Sequence, residues 1–239
     1  MLAGMRSYGQ YCAIAKALDV VGDRWSLLIV RELWYRGPSR FTDLRGGLPG
    51  IATNLLTTRL QDLERGEVLV RVSAPPPAPA STVLYSLTDR GRELRSVLTS
   101  LASFGAPLAR RYDEGEHFRH HWLHMPVMAY LRDHDPNGPR KCLRVGTAED
   151  GLDVLVCAGD LSVSIADASV TPDAQMTGPP DTLVALINGR HTLAEARDRG
   201  LEVTGDSSLL GRIWGASEGP AGAGRRGGST EPQTAGVSK

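Results

Sequence analysis

Residues 39–66, SRFTDLRGGLPGIATNLLTTRLQDLERG, decide how the rest of the chain is read. Phe41 and Leu44, three apart, give an apolar edge to a short helix that Ser39 is placed to cap. Gly46, Gly47, Pro49 and Gly50 then break the chain. A second helix is expected from about Ala52 to Arg65, with Gly66 as its left-handed stop. Its buried stripe is Leu56, Leu60 and Leu63, at i, i+4 and i+7. The opposite face carries Asn54, Thr57, Thr58 and Gln61, which are short, uncharged hydrogen-bonding groups. Donors and acceptors on short stems suit the edges of bases, because they are held in register. The same pattern also fits an amphipathic helix with a solvated polar face.

The flanking segments extend the pattern. Upstream, CAIAKALDVV (12–21) predicts a helix with Ile14, Ala17, Leu18 and Val21 on one side, ended by Gly22. Asp23 is placed to cap the next helix, RWSLLIVRELWY (24–35), which Gly37-Pro38 ends. Downstream the period changes from helix to strand. Val68, Val70 and Val72 alternate with Leu69 and Arg71, and TVLYSL (82–87) is the returning strand. Between them APPPAPA (74–80) is a stiff hairpin tip. Thr88 then caps a long helix to Tyr112, with Leu94, Leu98, Leu101 and Leu108 along one side. This face packs either on its own domain or on a second copy, where the four leucines are candidate dimerisation residues. Three helices, a strand, a wing, a strand and a helix make a winged helix-turn-helix. Arg40 and Arg71 sit where phosphates would be met.

The charge is uneven. Residues 1–112 hold 15 Lys and Arg against 9 Asp and Glu, while the remainder holds 12 against 18, so a neutral total hides a basic front and an acidic back. The basic part is where a polyanion would bind. Cys12, Cys142 and Cys157 form neither a disulfide framework nor a metal-ligand spacing, as suits a reducing cytoplasm. No apolar run approaches membrane-spanning length and no signal peptide is recognisable, so a cytoplasmic protein without a membrane partner is expected. No nucleophile–base pair, phosphate loop, cofactor motif or complete metal set is present, which argues against an enzyme.

Residues 12–112 resemble the HxlR family of bacterial winged-helix transcription regulators. The resemblance is carried by CAIAKALDVVGDRWSLLIVREL, FTDLRGGLPGI, LLTTRLQDLERGEVLVR and VLYSLTDRGREL, in that order. It implies a homodimer on palindromic double-stranded DNA, with the second motif helix in the major groove and the wing along the backbone or minor groove, and so favours a second copy as the partner of the helix after Thr88. On this sequence it implies Thr53, Asn54, Thr57, Thr58 and Arg59 as groove-facing residues and Arg40 and Thr42 at phosphates. Ala52 stands where a serine cap is common, and the wing tip PPPAPAS carries no Lys or Arg. Cys12, at a helix start with Lys16 one turn on, is a possible redox sensor, as cysteines at this place are in several family members.

Beyond residue 112 the texture differs. EHFRHHWLHMPVMAYLRDH (116–134) is a linker helix or helix pair holding His117, His120, His121, His124 and His134, whose i,i+4 pairs lack the further ligands a metal needs. Three short strands are expected at 141–145, 152–157 and 161–165, and a fourth at 174–177. Helices then start at Pro180, Thr192 and Asp206, with a strand at 201–204. This order, with the pieces NGR, TLAEARDRG and LEVTGD, resembles the C-terminal part of sterol-carrier-protein-type lipid-transfer domains. The resemblance implies a sheet and helices around an apolar tunnel.

The expected class is therefore α+β. A winged-helix DNA-binding and dimerisation domain spans 1–112, a linker 113–139, a sterol-carrier-like domain 140–215 and a disordered Gly, Ala, Ser and Pro-rich tail 216–239. The helix from about 118 is a candidate part of the back domain. Two functions follow. One is a dimeric DNA-binding regulator whose back domain senses an apolar or amphipathic small molecule. The alternative is a lipid carrier that uses its winged helix only for dimerisation or protein contact.

Overall fold

The computed structural model describes residues 7–79, 81–109, 112–113 and 115–215. The tail at 216–239 lies outside the described residues. The front unit contains α1 (Ala13–Val21), α2 (Ser26–Arg36), α3 (Phe41–Gly46), α4 (Thr53–Arg65), strands β1 (Leu69–Ser73) and β2 (Val83–Leu87), and α5 (Asp89–Gly105). β1 and β2 pair antiparallel from Leu69–Leu87 to Ser73–Val83. The core beneath them joins Ile29, Leu33, Leu44, Leu48, Leu56, Leu60, Leu63 and Leu69. Each such side chain contributes about 1.5–3 kcal/mol by leaving water.

Several local expectations are corrected. Ser39 does not cap α3: it is buried, its hydroxyl donates to the Gly37 carbonyl at 2.9 Å, and its backbone bridges Tyr85. The chain enters α3 through Arg40, whose N–H donates to the Asp43 carboxylate at 3.0 Å. Gly66 has an ordinary φ of −79°, and Glu67 takes the left-handed place at 59°. Glycine is required at 66 by space, since a Cβ there would lie 2.5 Å from Val20 Cγ1. The long helix after Thr88 ends at Gly105 rather than Tyr112. Of the expected α1 stripe, Val21 is buried, but Ile14, Ala17 and Leu18 point outward and Ala15 is buried in their place.

The back unit begins with a 3-10 turn (His120–Leu123) running into α6 (His124–Tyr130). There follow β3 (Lys141–Gly146), β4 (Gly151–Cys157), β5 (Asp160–Ile165), β6 (Ala174–Thr177), α7 (Pro180–Ile187), α8 (Leu193–Asp198), β7 (Glu202–Gly205) and α9 (Ser208–Trp214). The five strands form one sheet in the order β5-β4-β3-β6-β7, with only β3 and β6 parallel. Thr192 caps α8 by accepting from Glu195 N–H, and Asp206 accepts from Ser208 N–H at 3.1 Å at the start of α9.

The tunnel that the resemblance implied is not what occupies the middle of this unit. Leu123, Val127, Leu143, Val145, Leu152, Val154, Met176, Leu183, Leu186, Leu209, Leu210 and Ile213 form one packed core, each buried. On the other face of β3 and β4, Arg144 and Asp153 stand opposite each other and form a buried two-pronged pair at 2.7 and 2.8 Å. Arg144 also donates to the carbonyls of Asp167 and Val170, which pins the loop after β5. Asp133 and Arg212 make a second two-pronged pair, tying the segment after α6 to α9.

Candidate nucleic-acid interface

α4 is positioned by its leucines. Leu56, Leu60 and Leu63 are buried, which turns Thr53, Asn54, Thr57, Thr58 and Gln61 to the surface. The helix starts without a side-chain cap: Ala52 holds the cap position and Thr53 is already helical. The polar groups are satisfied within the helix. Thr57 donates to the Thr53 carbonyl and Thr58 to the Asn54 carbonyl, each at 3.0 Å, and the Asn54 side-chain oxygen accepts from Leu55 N–H at 2.9 Å. The threonine oxygens stay free to accept, and a hydroxyl rotation frees each donor for an outside partner.

Arg40 and Thr42 are exposed at the start of α3, and Arg71 is exposed on the wing strand. Arg71 donates to Glu64 at 3.0 Å, an exposed pair that a phosphate can replace at little cost. Arg59 is placed differently. Its guanidinium turns back along the helix to Asp62 at 2.8 Å and towards Asp23 at 3.6 Å, and its Nε is buried without a hydrogen-bond acceptor. Arg65 pairs with the same Asp62. These residues line a half-open hollow of about 620 Å³ together with Tyr8, Leu18 and Thr58.

The expected dimer stripe on α5 is split by the structure. Leu98 is buried in the front core and Leu94 packs against it, while Leu101 and Leu108 are exposed. Val97 and Phe104 join them on the surface, Phe104 at 76 % exposure. With Tyr11 and Ile14 near α1, they are apolar side chains facing outward in a single chain. A stripe drawn through leucines alone misses Val97 and Phe104; the i, i+4 and i+7 spacing of Val97, Leu101 and Phe104 marks them.

Cys12 is exposed and immediately precedes α1. The backbone N–H groups of Ala15 and Ile14 hold its thiol below the usual value. Cys142 is buried, and loss of hydration pushes its thiol up to about 11. Three of the five histidines of 116–134 have partners of other kinds. His120 faces Asp150 at 3.3 Å, His121 bonds Glu32 at 2.7 Å, and His124 stacks on Tyr35 with ring centres 4.7 Å apart. Burial, reinforced by the charges of Arg95 and His121, lowers His124 to about 4, so it stacks as a neutral ring.

Residues 20–112 match the family described as HxlR-like helix-turn-helix. The uncharacterized HTH-type transcriptional regulator sll1512 of Synechocystis sp. is 39 % identical over 98 residues, covering 41 % of this chain and 70 % of that one. The HTH-type transcriptional regulator YodB of Bacillus subtilis is 33 % identical over 88 residues, covering 37 % and 76 %. The solved structure of the reduced form of YodB aligns with 44 % of this chain and 100 % of its own, at 28 % identity and a TM-score of 0.36.

Proposed function

Since the chain belongs to the HxlR-like helix-turn-helix family, we propose that it is a DNA-binding transcriptional regulator that works as a homodimer on an inverted repeat. Proteins of this kind are regulators and not enzymes. The observation that carries the reading is the surface of α4: five neutral polar side chains face outward over a leucine stripe, flanked by the exposed Arg40 and Arg71. Thr53, Asn54, Thr57 and Thr58 read base edges. Arg40, Thr42 and Arg71 hold phosphates and set the register. Arg59, tied to Asp62, supports the helix from behind. Two heads related by a two-fold axis meet half-sites whose centres are about 10 bp apart or a small multiple. The exposed Val97, Leu101 and Phe104 supply the apolar contact between copies.

Among the described residues no helix is long and apolar enough to cross a membrane. The order of strands and helices over 140–215 supports reading them as a sterol-carrier-like regulatory domain, and because its interior is a packed core an apolar or amphipathic effector would act at its surface rather than in a tunnel. Sequencing DNA retained by the purified protein, then measuring binding to the retained sequence and to random duplex, tests the reading. Asn54→Ala and Thr57→Ala should reduce discrimination, by about 1–3 kcal/mol for each base edge left unread. Arg40→Ala should weaken both duplexes alike and flatten the salt dependence. Equal affinity for all duplexes at physiological salt would overturn it.

A further inference from the structure

One carboxylate joins the two units. Glu32, on α2, is completely buried and accepts five hydrogen bonds. Three come from its own helix, through Arg31 at 3.1 and 2.8 Å and Arg36 at 3.1 Å. Two come from the back unit, from His121 Nε2 at 2.7 Å and the Trp122 indole N–H at 2.9 Å. Arg31 also lies over the Trp122 ring, 4.5 Å from its centre.

The same carboxylate touches the turn between α3 and α4. A Cβ at Gly47 would lie 2.1 Å from Glu32 Oε2. Gly47 has φ −80° and ψ −5°, which any residue adopts, so glycine is needed there for space alone. A glutamate tip ordinarily swings aside from such a contact. Five hydrogen bonds prevent this one from doing so. On the other side, His120 precedes His121 in the 3-10 turn and is held by the β3–β4 hairpin: its ring lies against Gly146, and Asp150 bonds it.

We infer that Glu32 is a coupling post, through which the position of the β3–β4 hairpin in the back unit sets the α3–α4 turn that presents the reading helix. The chain of contact runs from Gly146 and Asp150 through His120, His121 and Trp122 to Glu32 and Gly47. It rests on the proposed function only in calling α4 the reading helix; the mechanical coupling stands apart from that. A bend transmitted this way acts equally in both directions.

Reciprocal variants of the full chain test it by readouts that need no DNA. Gly47→Ala, on the reading side, should move the Trp122 indole N–H resonance in a 15N-labelled sample, the resonance being assigned by its loss in Trp122→Phe. Trp122→Phe, on the back side, should speed hydrogen exchange of the amides at 46–51 about tenfold, the equivalent of one hydrogen bond. Exchange in β1 should stay unchanged. Should Gly47→Ala fail to fold, the Trp122→Phe measurement decides alone. Unchanged exchange at 46–51 in Trp122→Phe, or an unmoved indole resonance in a folded Gly47→Ala protein, would overturn the coupling. Absence of DNA binding would instead remove the proposed function and leave these two results to stand by themselves.

Discussion

Glu32→Gln makes the role of the buried carboxylate measurable as a difference in pH dependence. Burial pushes the Glu32 carboxyl up, but the hydrogen bond from His121 and the charges of Arg31 and His121 outweigh it and hold it at about 2, against an ordinary 4.5. A carboxyl depressed in the folded state stabilises that state fully above its unfolded value and loses the contribution as pH falls towards the folded value. The window is therefore between 4.5 and about 2. That gap corresponds to about 3 kcal/mol at neutral pH, of which about 2 kcal/mol is gone by pH 3. Glutamine has the same shape but one acceptor oxygen, and its NH2 group faces either the donors of Arg31 and Trp122, which bond Oε1, or those of Arg36 and His121, which bond Oε2. Breaking a buried charged network in this way costs about 3–5 kcal/mol at pH 7. Urea unfolding of both proteins from pH 7 to pH 3 should show the gap between them narrowing by about 2 kcal/mol. Asp133 and Asp173 are also depressed by their basic partners, but both proteins carry them and they cancel in the difference. A gap that stays constant over this range would refute the assignment of Glu32 as a buried, ionised acceptor.

Thr88→Ala removes the cap of α5, where the threonine oxygen accepts from Gly91 N–H and its hydroxyl donates to the Glu67 carbonyl; unfolding experiments should show a loss of about 1 kcal/mol. Leu101→Glu with Phe104→Glu should convert a dimer to a monomer in sedimentation equilibrium and leave the front core intact, because both side chains are exposed in the single chain. Diamide treatment should lower DNA binding of the wild type and spare Cys12→Ser, because the Cys12 thiol is exposed and held below its usual value by the N–H groups of Ala15 and Ile14; equal sensitivity of the two proteins would remove Cys12 from the mechanism.

The elements were legible wherever a single period governed them. The leucines of α4, the alternating Val70 and Val72 of the wing and the caps at Thr88 and Thr192 depend on neighbours within a few residues. Long-range demands were not legible. Ser39 reads as a cap from its neighbours, yet the returning wing strand takes its backbone at Tyr85. Gly47 and Gly66 read as helix breakers, yet each makes room for a distant side chain, Glu32 and Val20. On α1 the outward Ile14 and Leu18 would be core in a lone amphipathic helix. The candidate base-reading residues were visible because burying three leucines fixes the opposite face. Glu32 was hidden because a carboxylate within an apolar helix becomes meaningful only when His121, 89 residues away, is seen beside it.

The packing also bears on where a small-molecule effector would act. A ligand entering the middle of the back unit has to displace buried side chains such as Met176 and Leu186, each held by about 1.5–3 kcal/mol. It must offset that loss before it favours any arrangement of the reading heads. A tenfold change in DNA affinity needs only about 1.4 kcal/mol of preference for one arrangement. Rearranging one hydrogen bond at the Glu32 seam changes the balance by about 1 kcal/mol, without opening a core. The seam is therefore the place where a modest perturbation of the back unit is commensurate with a tenfold change in DNA affinity. A ligand that moves the β3–β4 hairpin, or the His120–Leu123 turn resting on it, meets a much smaller opposing cost than one that hollows out the interior.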